Sequence, residues 1–202
     1  MSTQFLVLLI GGVSFFSSCN PISKYEQSVL NFRQLKDEQF KNGSSSPLSK
    51  KEIQSFKGLP YFVPDENYQI QAKYKSATLP QYINLYEGDE VNQIHKLTGT
   101  VEFTFNGKKH QLNTYHSMGQ AKHQLFVPFK DLSNKKNTYP GGRYLEGRLL
   151  NDTVCALDFN FAYNPFCVYN TKYTCALIPS ENFVNDSIFA GEKYTEPVDY
   201  LH

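Results

Sequence analysis

The chain has 202 residues, 20 Lys and Arg against 19 Asp and Glu, a net charge of +1 and 40% hydrophobic residues. This balance is that of a globular protein with one core, and it offers no basic face for nucleic acid or an anionic membrane surface. Its 14 Tyr and 16 Phe, with no Trp, lean towards strands.

Residues 5–16, FLVLLIGGVSFF, are an apolar run of twelve. The run is too short to span a bilayer and suits the core of a signal peptide. Ser17-Ser18-Cys19 follows, and small residues before a cysteine at this place resemble a bacterial lipoprotein cleavage site. No Lys or Arg precedes the core, and Phe16 stands where Leu is usual. The expectation is a leader over 1–18, lipid on Cys19, and a protein in the bacterial cell envelope, anchored in the membrane through Cys19 on the periplasmic or outer-surface side. An ordinary secretory leader and a buried first strand are the competing readings.

Residues 19–58 read as a lipid tether and helical arm. Ser23 with Glu26 has the spacing of a capping box. Tyr25, Val29, Phe32, Leu35 and Phe40 recur at helical spacing, predicting a helix over 24–41 that packs through Tyr25, Val29 and Phe32. Asn42-Gly43 stops it. Ser49 with Glu52 repeats the capping box, Leu48 and Ile53 fit a hydrophobic staple, and a short helix over 50–57 ends at Gly58.

From residue 59 to 202 the pattern is that of strands. Residues 68–74 alternate, and residues 79–98 hold one or two short strands. Residues 100–105 and 108–116 flank Asn106-Gly107, a hairpin signal. Its register puts His110 opposite Phe103 and turns Val101, Phe103, Phe105 and Leu112 inward. Residues 124–129 form another strand and 130–138 a polar loop. Residues 143–150 and 153–160 form a second hairpin around Asn151-Asp152. The prediction is a mainly β (α+β) fold of six to nine strands: an antiparallel barrel or two-layer β fold with an N-terminal helix packed on one side.

With Leu150 opposite Thr153, Arg143 shares a face with Asn160, and Asp158 lies diagonally across from it. An arginine fork could then meet the Asp158 carboxylate. Two readings stay open, a structural ion pair at the end of a sheet or a polar site at the mouth of a β fold.

Several motifs recur in order here: Thr138-Tyr139-Pro140-Gly141-Gly142-Arg143-Tyr144-Leu145-Glu146, then the run from Asp158-Phe159-Asn160 through Ala162-Tyr163-Asn164-Pro165 to Cys167 and Tyr169. Cys175, Pro179, Glu181-Asn182 and Ala190-Gly191-Glu192 follow, and Ser46-Pro47-Leu48 and Phe56-Lys57-Gly58-Leu59-Pro60-Tyr61-Phe62 stand upstream. In these the chain resembles the bacterial and archaeal family catalogued as domain of unknown function 1684. It departs from that pattern at Pro140, Glu146, Ala176 and Ser180. The resemblance implies a fold and a set of positions, with no activity to carry over.

Chemical motifs are sparse. There is no phosphate-cradling glycine loop, HExxH or nucleophile elbow, so no cofactor and no metal is predicted. In an oxidising envelope, Cys167 and Cys175 read as a disulfide worth about 2–4 kcal/mol, with a zinc site the weaker alternative. Cys155 reads as a small buried hydrophobe, and His116 and His123 as loop histidines. No motif fixes a reaction. The favoured reading is a membrane-tethered envelope binding or structural module with a small-molecule pocket lined by Tyr139, Arg143, Asp158, Asn160, Tyr163, Asn164 and Glu192. The second is an envelope hydrolase with Asp158 and Glu192 as acid and base, which requires both in one open cleft.

Overall fold

A computed structural model describes residues 21–85, 94–116 and 119–194. The predicted leader and Cys19 lie outside the described residues. Among the described residues two α-helices, α1 (Lys24–Asn42) and α2 (Lys50–Ser55), precede seven strands: β1 (Gln69–Asn84), β2 (Ile94–Phe105), β3 (Lys108–His116), β4 (Gln124–Asp131), β5 (Arg143–Asn151), β6 (Val154–Asp158) and β7 (Phe183–Val184). The first six pair antiparallel in chain order, and β6 returns to β1, so the meander closes into a six-stranded barrel. β7 adds to β4 in parallel. Among the described residues no helix is long and apolar enough to cross a membrane.

Period-two alternation puts one side of every strand inside the barrel. Ala72, Val101, Phe103, Leu112, Leu125, Val127, Leu145, Cys155 and Leu157 are buried in one cluster with Phe129 and Phe159. Six strands enclose a narrow interior, and these side chains fill it. The 106–107 hairpin follows its sequence signal: Asn106 (φ 48°) and Gly107 (φ 74°) both take the left-handed conformation that a two-residue hairpin turn of this hand demands, and Phe103 faces His110.

The second hairpin is offset from the predicted register. Leu149 faces Cys155 and Arg148 faces Ala156, then the ladder slips so that Asn151 faces Val154. The cause is local. The Asn151 side chain accepts from the Thr153 amide (2.9 Å) and hydroxyl (3.0 Å), which makes Asp152-Thr153 the loop. A shift of one residue exchanges the partners on each face.

The α1 helix packs on the barrel, but through a different stripe. Ser23 caps it, accepting from the Glu26 amide. Val29 and Phe40 are buried as predicted, while Phe32 is 40% and Leu35 59% exposed. Positions 25, 29, 33, 36 and 40 form the inward face, and this face carries Arg33 and Lys36. Arg33 is buried, donates to the Phe62 carbonyl at 2.8 Å, and lies 4.5 Å over the Tyr61 ring. Cys167 and Cys175 form the predicted disulfide, with Cα atoms 5.6 Å apart.

Candidate functional site

The seven predicted site residues do not converge on one pocket. Arg143, expected to meet Asp158, is fully buried and pairs with Asp131 on the adjacent strand, Nη2 to Oδ2 at 2.9 Å. It also donates to the carbonyls of Ile188 (2.8 Å), Ala190 and Glu192 (3.3 Å). Burial lowers its pKa and the Asp131 charge opposes that; through its three carbonyl bonds Arg143 clamps the segment 188–192. The chain turns closely at Gly141-Gly142 just before Arg143: Gly142 has φ +96°, and a Cβ there would lie 2.6 Å from the Phe129 carbonyl oxygen.

Asp158 bonds to Asn160, and its other partner comes from α1. The Tyr25 hydroxyl donates to both Asp158 oxygens, at 3.0 and 2.9 Å. The Asn160 amide and side-chain nitrogen each reach Oδ1 at 3.0 Å, and Asn160 also exchanges bonds with the Asp65 backbone.

Glu192 is the centre of a third cluster. Its side chain is 1% exposed and takes Lys36 Nζ at 2.5 Å, the Asn164 amide at 2.7 Å and the Tyr169 hydroxyl at 2.9 Å. Burial, then the Glu192 charge, pushes the Tyr169 hydroxyl well above its ordinary pKa. Tyr139 stands apart, edge-on to Tyr194. Asp158 therefore borders open surface while Glu192 is sealed beneath Lys36. They share no open cleft, and nothing supports the hydrolase reading. Among the described residues no three His, Cys, Asp or Glu side chains group as a metal site.

Open surface lies instead over the outer faces of β1, β5 and β6 and, next to it, in a seam between α1 and Glu146 of β5. One groove of about 560 Å³ is lined by Gln69, Gln71, Gln124, Arg148, Asp158 and Phe161 among others. A second, of about 410 Å³, is walled by Phe32, Leu35, Phe40, Tyr163 and Phe166. Glu146 lines both. Its carboxylate accepts from the Tyr163 hydroxyl (2.9 Å) and Gln120 Nε2 (2.8 Å). One edge of the side chain is open to solvent, yet desolvation of the carboxyl in the seam raises its pKa against those two hydrogen bonds. The Phe32 and Phe161 rings, one from each groove, meet edge-on at 4.8 Å.

The family described as "Protein of unknown function (DUF1684)" has a model that matches residues 54–193. The chain belongs to that family. The solution structure of an uncharacterised protein from gene locus rrnAC0354 of Haloarcula marismortui is similar at 32% identity, with a TM-score of 0.68, over 88% of this chain and 96% of that one. No curated protein matches the chain. The DUF1684 match starts after α1. The helix nevertheless supplies Tyr25 and Lys36, which hold Asp158 and Glu192 of the matched segment. Glu146 lies in the tract that carried the resemblance. Its place in the seam escapes the sequence, because the wall opposite it belongs to α1 and to the loop at Phe166.

Proposed function

We infer that this DUF1684 protein is a lipid-anchored cell-envelope module that binds a small molecule in the seam beside α1. One observation carries the binding reading: the barrel interior is filled, whereas two grooves that share Glu146 lie open on its flank. Aromatic walls with a few oriented polar groups are the usual makings of a small-molecule site. The anchor reading rests on the apolar run 5–16 and Ser17-Ser18-Cys19. It would place the seam near a membrane surface, since α1 begins at Lys24.

Residues 20–202 contain every element described above and are the form to test. In a thermal-shift screen against metals, sugars, lipids and nucleotides, a ligand at about 100 times its Kd adds about 2.7 kcal/mol. That appears as a rise of several degrees. The rise should shrink in Glu146→Leu. A ligand that stabilises both forms equally binds elsewhere, and a screen with no response in any class removes the binding reading. The anchor is tested separately, by mass spectrometry of the full chain made in a bacterial host. Cys19 should be the first residue and carry acyl groups; an unmodified Cys19 overturns it.

A further inference from the structure

The charges along the seam are unequally satisfied. Both oxygens of Asp158 are held by Tyr25, with Asn160 adding to one of them, and Glu146 is held by Tyr163 and Gln120. Arg148 enters none of the ion pairs among the described residues, and its guanidinium has no hydrogen-bond partner there. The sheet register nonetheless fixes its place on the barrel wall. Gln71 faces Ala156, Ala156 faces Arg148 and Arg148 faces Gln124, so one outward row crosses four strands. The small Ala156 side chain leaves the floor of that row low, and amide-bearing Gln71 and Gln124 flank the guanidinium. An arginine fork with amide donors beside it suits a carboxylate or phosphate group.

Two residues back on the same strand and face, Glu146 lines both this groove and the second one. That groove has the opposite character. Phe32, Leu35 and Phe166 are left 40%, 59% and 41% exposed along it, an apolar surface that water covers at a cost of about 25 cal/mol per Å². An unpaired cation at one end and uncovered aromatic and aliphatic side chains at the other make an amphipathic site.

Building on the binding reading above, we propose that the seam takes an anionic single-chain amphiphile, its head group on Arg148 between Gln71 and Gln124 and its chain past Glu146 against Leu35 and Phe166. A fatty carboxylate and a long-chain phosphate monoester share this chemistry.

Calorimetric titration of residues 20–202 with laurate and with dodecyl phosphate, each below its micelle concentration, tests the inference and separates the two sources. At least one should bind at a single site. Arg148→Gln should weaken binding about tenfold, the worth of a charged hydrogen bond, and Leu35→Gln should weaken it several-fold. Both positions are exposed, so the variants should melt as the parent does. Acetate and inorganic phosphate should bind far more weakly than their dodecyl counterparts; equal affinity would overturn the role of the chain. Dodecyl maltoside or dodecyltrimethylammonium binding as tightly, with no effect of Arg148→Gln, would overturn the anionic head. If no amphiphile binds while another ligand in the screen acts through Glu146, this inference fails and the binding reading stands.

Discussion

Arg143 pairs with Asp131, and both side chains are completely buried. The two belong to adjacent strands, with Phe129 opposite Arg143 in the ladder. Asp131 also accepts from the amides of Ser133 and Ile188, so the pair ties the turn after β4 and the segment 188–192 to the barrel wall. A buried pair of this kind adds little net stability over apolar residues, but removing one partner leaves the other charge stranded.

Arg143→Ala should therefore lower the unfolding free energy by about 3–5 kcal/mol. Asp131→Asn should cost less, because the guanidinium keeps its bonds to the carbonyls of Ile188, Ala190 and Glu192. Urea denaturation measures both. An Arg143→Ala protein as stable as the parent would show that the clamp holds nothing.

Lys36 and Glu192 fasten α1 to the barrel end. Lys36→Met removes the cation and leaves Glu192 with Tyr169 and the Asn164 amide. Hydrogen exchange should then speed up across α1 while the amides of β4 and β5 keep their protection, because the helix opens as a local unit. Uniform acceleration across the barrel would mean that α1 and the barrel unfold together.

Glu146 gives a pH signature. Its pKa lies above the ordinary 4.5, chiefly through desolvation. The folded state therefore holds its proton more tightly than the unfolded state. The stability it contributes is present below pH 4.5 and is lost as pH rises through the folded value. Glu146→Gln removes this term. The melting temperature of the variant relative to the parent should rise from acid to neutral pH. A constant difference across that range would show that Glu146 does not titrate differently in the two states.

Cys155 is buried, and burial pushes its thiol up to about 11. In residues 20–202 a thiol reagent at neutral pH should find no reactive group in the native protein. It should find one after denaturation, and three only after reduction opens Cys167–Cys175. Three thiols without reductant would mean that the disulfide does not form.

Much of the fold is written in local patterns. Alternation from residue 68 onward marks strands, Asn106-Gly107 dictates its own turn, and Ser23 and Ser49 start helices, because each of these signals acts over a few residues. The stretch 79–98 was ambiguous, since β1 and β2 both run into it and the ladder between them is irregular at Ser76–Gln81. Cys167–Cys175 was legible for the same reason, as both ends lie in one short loop.

The second hairpin and the polar clusters were not legible. A single side chain, Asn151, bonding back to Thr153 moved the loop by one residue and removed Arg143 from Asp158. Arg33 and Lys36 carry no apolar signal, yet helical geometry places them with Val29 and Phe40. They are accepted inside because carbonyls and Glu192 from 29 to 156 residues away meet them there. Sequence determined which segments are strands and helices, since that depends on neighbours along the chain. Which charges pair, and where the surface stays open, depended on groups that only closure of the barrel and docking of α1 bring together.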